Sequence, residues 1–327
     1  MIILLYIVLL VGGFVGLVKG ADIFVDGSSA AAKKLKVPPM VIGLTVVSMG
    51  TSLPELAVSI TASKAGSNEI ALSNVLGSNI FNVLAILGFC ALFCAIPVKK
   101  ISVVRDFPVV ALAPLTIALW LGWDVIRSGR VFDMMVSEEV GVIQGGIAAY
   151  LVIGFILYIL ALVYDAKIHP ENAPSETATM PNIKCIVFII GGAVLIVAGG
   201  QAVVYSAKGI AAAFHMTETL VGLTVVALGT SLPEFVTSVV AAKKGEVDLA
   251  VGNVLGSDIF NFLMVLGISS VIDPITMNVA SLYDMIILVL ATLLLFIFSL
   301  TRKTLVRVEG VIMLIIYALY VVYAAVR

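Results

Sequence analysis

Long apolar strings broken by short polar clusters run through the whole chain. A membrane-spanning helix needs about 20 apolar residues. Breaking the chain at its polar clusters predicts ten such segments, at roughly 2–31, 38–64, 69–96, 103–121, 139–164, 183–211, 217–242, 248–270, 278–300 and 305–325. No ten-residue run alternates apolar and polar positions between turns, so helices are expected rather than a barrel. No basic residue precedes the first apolar string, whose first lysine is Lys19. It reads as a retained first helix rather than a signal peptide.

Composition supports this reading. Of 327 residues, 61% are apolar and only 12% charged, against about 45–50% and about 25% in a soluble domain. This excludes a soluble enzyme, a secreted disulfide scaffold and a disordered chain. A net charge of -1 offers no basic field for nucleic acid.

Charge placement orients the spans. Alternate loops put Lys33, Lys34, Lys36, Lys99, Lys100, Arg105, Lys167, Lys184, Lys243, Lys244, Arg302, Lys303 and Arg307 on one side. The other side has Lys64, Arg127, Arg130, Lys208 and Arg327. The richer side is expected in the cytoplasm, with both termini outside. Residues 165–182, with His169, Pro170, Pro174 and Pro181, form a short cytoplasmic linker. Cys90, Cys94 and Cys185 read as small apolar side chains, and His169 and His215 as solvated loop residues.

The sequence is internally repeated. Residues 41–88 and 220–267 align without a gap, with 27 identities in 48 positions. One copy reads VIGLTVVSMGTSLPELAVS and then SNVLGSNIFNVLAILG; the other reads LVGLTVVALGTSLPEFVTS and then GNVLGSDIFNFLMVLG. The same motif falls on spans two and seven. An odd separation of five spans means the copies cross in opposite directions. The expected fold is an all-α polytopic membrane protein, ten transmembrane helices in a 5+5 inverted repeat. Its first half is 1–164, with repeat 41–88; its second is 183–327, with repeat 220–267. Secondary transporters share this plan, with the site near the midplane at matching interrupted helices.

The motif carries oxygen chemistry. Glu55 and Glu234 each fall about 17 residues into a span. A charge there costs about 2.5–3.5 kcal/mol on insertion scales, so the acids call for a cation or for protons. Pro54 and Pro233 lack an N–H, which frees the carbonyls of Gly50 and Gly229 and disturbs those of Thr51 and Thr230. Freed carbonyls at membrane depth need a donor or a cation. Thr51 with Glu55, and Thr230 with Glu234, share a helical face. Ser78 with Asn82, and Ser257 with Asn261, repeat that spacing one span later. Oxygen ligands without thiolate or imidazole suit hard cations such as Na⁺ and Ca²⁺. Gly43, Gly77, Gly222 and Gly256 are read as permitting close helix approach. Asp22 and Asp26 are read as vestibule or cap residues, with direct transport work as the alternative, and Asp258, opposite Asn79 in the repeat, as a structural hydrogen-bond partner, with a ligand role as the alternative.

The duplicated GTSLPE and GSxIFN segments resemble the two alpha repeats of the sodium/calcium exchangers, of the calcium/cation antiporter superfamily. The resemblance implies an inner-membrane antiporter that extrudes Ca²⁺ against Na⁺ entry, with no cofactor, no enzymatic activity and no obligate protein partner. It implies Glu55 and Glu234 as central Ca²⁺ ligands, joined by the carbonyls of Thr51 and Thr230. Ser52, Ser78, Ser231 and Ser257 would form flanking Na⁺ positions, the carbonyls of Ser48 and Ala227 would contribute, and Asn82 and Asn261 would line the middle. Some relatives, including potassium-dependent ones, carry Asp where this chain has Asn261, which weakens the case for K⁺ co-transport. The short linker leaves no room for the large calcium-sensing loop of animal exchangers.

The expected mechanism is exchange by alternating access, with spans 1 and 6 as the sliding element. The alternative is a proton-coupled antiporter for Ca²⁺ or another divalent cation. A channel fits an inverted repeat poorly, and the spans lack HExxH, GxSxG and any Ser/His pair.

Overall fold

The computed structural model describes residues 2–129, 134–169, 180–213 and 227–327. In chain order its helices are α1 (Ile2–Leu35), α2 (Pro39–Thr51), α3 (Leu53–Lys64), α4 (Glu69–Phe93), α5 (Lys100–Arg127) and α6 (Gly146–Ile168). Then come α7 (Asn182–Ala213), α8 (Ala227–Thr230), α9 (Leu232–Lys243), α10 (Val247–Ile272), α11 (Val279–Arg302) and α12 (Arg307–Val326). Among the described residues, eight helices are long and apolar enough to cross a membrane, or nine if the bent pair α2–α3 is one span. The expected span 217–242 lies partly outside the described residues, and its described part is α8 and α9.

Among the described residues, the regular structure is α-helical apart from two small antiparallel ribbons. Strand β1 (Ile96–Pro97) pairs with β4 (Thr304–Leu305), and β2 (Glu139–Ile143) pairs with β3 (Ile275–Asn278). Ile143 lies opposite Ile275. The expected span 139–164 therefore begins as a strand, and its helix starts only at Gly146. Gly145, at φ +51°, makes the corner, a left-handed conformation that glycine adopts at little cost.

The repeat is visible element by element. Helix α3, Leu53–Lys64, matches α9, Leu232–Lys243. The α-helical stretch Asn68–Ile80 matches Val247–Ile259, and the π-helical turns Phe81–Ile86 and Phe260–Val265 match as well. Every pair is displaced by the 179 residues of the sequence alignment. The turns out of α3 and α9 also agree. Ser67 N–H reaches the Ala62 carbonyl and Glu246 N–H the Ala241 carbonyl, around Gly66 (φ +70°) and Gly245 (φ +80°). These are glycine-closed helix ends.

The chain forms two compact units, residues 1–54 with 162–257, and residues 55–161 with 258–327. In the first, α1 lies along α7 and meets it closely at glycines. A Cβ on Gly199 would sit 2.7 Å from the Gly13 carbonyl oxygen and 2.7 Å from the Leu17 nitrogen, and one on Gly20 2.9 Å from the Ile196 nitrogen. Small residues are what allow such approach where lipid gives helices no hydrophobic drive to associate. The outer sides of α1 and α7 expose Leu4, Val8, Val15, Ile186, Ile190 and Val194, as a lipid-facing surface should. Helices α2 and α10 also meet at glycines: a Cβ on Gly43 would lie 2.7 Å from the Leu249 carbonyl oxygen, and one on Gly256 2.6 Å from Ser48 Oγ.

In the second unit, α4 crosses α12 at Gly88 and Gly310; a Cβ on Gly310 would lie 2.6 Å from the Gly88 carbonyl oxygen. Helix α11 starts with Asn278 Oδ1 accepting the Ser281 N–H at 2.9 Å. The Glu309 carboxylate accepts the Val306 N–H at 2.9 Å at the start of α12. Both are side-chain caps of otherwise unsatisfied donors.

Gly199→Val should destabilise the purified protein by about 1–3 kcal/mol through overpacking. Gly191→Val is the control, because a Cβ there meets nothing within 4 Å. Thermal melting in detergent should separate the two; equal melting temperatures would refute the glycine contact.

Candidate cation site

Each copy of the motif breaks a helix at the serine before Leu-Pro-Glu. Ser52 has φ −85°, ψ 10° and Ser231 has φ −89°, ψ 4°, both in the sparsely populated bridge region. The proline two residues on cannot supply the N–H that a continuous helix needs, and α2 meets α3 at a 48° bend. Each glutamate follows in the first turn of the next helix, fully buried. The partial positive charge of a helix N-terminus offsets part of the cost of a carboxylate there.

In the first unit, Ser52 Oγ donates to Glu234 Oε1 at 2.7 Å. Glu234 Oε2 is buried and has no hydrogen-bond partner among the described residues. One carboxylate oxygen is thus fixed while the other is left for a ligand. Asn253 Nδ2 donates to the Glu234 carbonyl at 3.3 Å and to Ser238 Oγ at 2.8 Å, and Thr51 Oγ1 donates to Asn253 Oδ1 at 3.1 Å. The Ser48 carbonyl accepts the Ser52 N–H at 3.0 Å and lies 3.3 Å from the Thr51 hydroxyl. Thr230 Oγ1 and Ser257 Oγ have no partner among the described residues. The Ser231 carbonyl accepts the Phe235 N–H at 3.1 Å, and Ala227 opens α8.

In the second unit, Asn74 Nδ2 donates to the Glu55 carbonyl at 3.3 Å and to Ser59 Oγ at 3.0 Å. This repeats the Asn253 arrangement 179 residues earlier. Asn82 and Asn261 each stand second in a π-helical turn, a distortion frequent at functional sites. Asn82 Nδ2 donates to Asp258 Oδ1 at 3.0 Å, Asn79 Nδ2 to the Asp258 carbonyl at 3.0 Å, and Asn261 Nδ2 to Ser78 Oγ at 3.3 Å. Ser78 passes its own proton to the Val75 carbonyl at 3.0 Å. Among the described residues, the amide nitrogens are used and the amide oxygens of Asn79, Asn82 and Asn261 are not. Buried acceptors without donors suit a cation.

The structure thus brings Thr51, Ser52 and Glu234 into one network, with Ser48 beside it. It brings Asn82 to Asp258, and Ser78 to Asn261. The bracing residues Asn74, Asn253, Ser59 and Ser238 were not singled out from sequence, although each pair is identical in the two repeats. Of the four glycines expected at helix crossings, Gly43 and Gly256 are at one. Gly77 is not: a Cβ there meets nothing within 4 Å. Gly222 and His215 lie outside the described residues.

Asp22 and Asp26 do meet a basic partner: Lys244 Nζ lies 2.8 Å from Asp22 Oδ1 and 2.6 Å from Asp26 Oδ1. Partial burial pushes the Lys244 pKa down, but bonds to the two carboxylates outweigh it and hold the ammonium above its ordinary value. His169 lies 3.1 Å from Asp165 one helical turn back.

The model of the sodium/calcium exchanger protein family matches residues 5–164 and 184–326. The chain belongs to the sodium/calcium exchanger family. It is 31% identical over 344 residues to the sodium/calcium exchanger MaX1 of Methanosarcina acetivorans, covering 97% of each chain. It is 34% identical over 277 residues to the inner membrane protein YrbG of Escherichia coli, covering 83% of this chain and 81% of that one. Among solved structures, the sodium-calcium exchanger NCX_Mj, soaked with Na⁺ and Ca²⁺, superposes with a TM-score of 0.82 at 29% identity, covering 99% of both chains. Membership makes this chain a membrane-embedded cation antiporter, and the buried oxygens above are its candidate cation ligands.

If Asn253 braces the exchanger's Glu234 segment, Asn253→Ala should cost about 1–3 kcal/mol, because it strands a buried carbonyl and hydroxyl. A melting temperature equal to that of the unaltered protein would contradict the bracing role.

Proposed function

We propose that this antiporter exchanges Na⁺ for Ca²⁺ by alternating access, without K⁺ and with net charge movement, and that it resides in the inner membrane with both termini outside. The observation that carries the reading is the duplicated Pro-Glu break, which twice puts a fully buried carboxylate at the start of a helix, with the Ser52 hydroxyl on the second of them. Glu55 and Glu234 are the charged ligands. The carbonyls of Thr51 and Thr230, with those of Ser48 and Ala227, add neutral oxygens, as do Asn82 and Asn261. Ser52, Ser231, Ser78 and Ser257 serve the flanking Na⁺ positions.

The donor set supports this assignment. Ca²⁺ takes six to eight oxygens in flexible geometry, and two carboxylates match its charge. Several Na⁺ can replace it by spreading over the flanking hydroxyls and carbonyls. When the two loads compete for the same acids, the ions pass in exchange rather than together. An empty, doubly charged site is costly to bury, so occupancy gates the conformational change. Helices α1 and α7, locked together at Gly13, Gly20 and Gly199, move as one element. The family names of MaX1 and NCX_Mj support Na⁺ and Ca²⁺ as the ions, and YrbG supports the inner membrane. Asn261, neutral where potassium-dependent relatives are acidic, supports independence from K⁺. The positive-inside count supports the orientation.

The test is Ca²⁺ uptake into proteoliposomes loaded with Na⁺ and diluted into Na⁺-free, K⁺-free medium at equal pH. Uptake should vanish when choline replaces internal Na⁺. Glu55→Gln and Glu234→Gln should each reduce it to background. With more than two Na⁺ leaving per Ca²⁺ entering, an inside-positive potential should accelerate uptake, each net charge being worth about 2.3 kcal/mol per 100 mV. Uptake driven by a pH gradient alone, with no need for Na⁺, would favour the proton-coupled alternative.

A further inference from the structure

Among the buried positions at which the repeats differ, one pairs an amide with a carboxylic acid. Asn79 and Asp258 are equivalents, and both are about 1% exposed. They behave differently. Asn79 sends its side-chain nitrogen to the Asp258 main chain, and its amide oxygen has no partner among the described residues. Asp258 instead turns its carboxylate to a neighbouring side chain, accepting Asn82 Nδ2 on Oδ1 at 3.0 Å.

That contact fixes a direction. A carboxylate accepts and does not donate. It can therefore take only the nitrogen end of the Asn82 amide, since the oxygen end would set two negative oxygens together. The oxygen end is then forced away, and Asn82 Oδ1 is the end without a partner among the described residues. The equivalent Asn261 faces no charge. Its nitrogen meets the neutral Ser78 hydroxyl at 3.3 Å, whose own proton goes to the Val75 carbonyl. Of the two asparagines, Asn82 alone is oriented by a charge.

We propose that Asp258 is a positioning residue for the transported cation, which acts by holding the Asn82 amide oxygen toward that cation. The proposal rests on the cation-exchange reading above and assigns Asp258 no direct contact with the ion. Ca²⁺ needs many oxygens aimed at one point, so an amide that presents its oxygen all of the time is a better ligand than one that turns over.

The test is Ca²⁺ binding by calorimetry on purified full-length protein, with the uptake assay run in parallel. Asp258→Asn should weaken Ca²⁺ binding about tenfold, the scale of a lost hydrogen bond to a charged group. Asn82→Ala should weaken it at least as much. The deciding variant is the double, Asp258→Asn with Asn82→Ala. If Asp258 acts through Asn82, the double binds Ca²⁺ as Asn82→Ala alone does. Losses that multiply would overturn the proposal, as would Asp258→Asn that binds normally while melting lower.

Should Asp258→Asn fail to fold, the infrared spectrum of the unaltered protein decides. Ca²⁺ should shift the side-chain amide carbonyl band that Asn82→Ala removes, and no shift would overturn the proposal. Unaltered protein that neither binds Ca²⁺ nor takes it up against Na⁺ overturns the exchange reading and this inference together. Unaltered protein that does both, beside an indifferent Asp258→Asn, overturns the inference alone.

Discussion

A carboxylate in the middle of a membrane span is the constraint from which the rest follows. Left alone, it would be among the costliest groups the chain could insert. Each repeat answers with the same local construction. The helix is cut just before the acid, so that the acid begins a new helix. An asparagine from the following span ties down the acid's own carbonyl and a serine one turn on. The surrounding helices then need to come close enough for these short side chains to reach, which is why glycines sit where α2 meets α10. Small residues, polar reach and a broken helix are one solution to one electrostatic problem.

The same constraint divides labour between oxygen and nitrogen. Nitrogens of the buried amides are spent inside the protein, on carbonyls, hydroxyls and one carboxylate. Among the described residues, oxygens are left over at Asn79, Asn82, Asn261 and Glu234. A core built for stability alone would pair both ends of each amide. The lopsided pairing leaves a surplus of negative dipole ends, and a positive substrate is what such a surplus fits.

Much of this was legible in the sequence because the motif is written twice. Apolar length gave the helices, and the 27 shared positions picked out Pro54 with Glu55 and Pro233 with Glu234 from a background of Leu and Val. Those identities equally marked Asn74 and Asn253, but a lone asparagine in an apolar span carries no local signal of its partner. Its bond reaches back 19 residues across a turn, a distance set by tertiary packing. The strand Glu139–Ile143 was hidden for a different reason. A short, mostly apolar stretch next to a true helix looks like more helix, and its pairing with Ile275–Asn278 is what makes it extended. Gly77 was misread because a small residue permits close approach without ensuring that a neighbour is there.

The π-helical turns at Phe81–Ile86 and Phe260–Val265 restrict how this chain can vary in length. Each holds one residue more than the α-helical path needs. Losing that residue would let the turn relax to an ordinary helix, but everything beyond it would rotate by about 100°. In the first copy, Gly88 would leave its seat against Gly310. Insertions and deletions, tolerated in the loops, are thus excluded from two short windows deep in the membrane, and any descendant of this sequence keeps its residue count there even where the letters change.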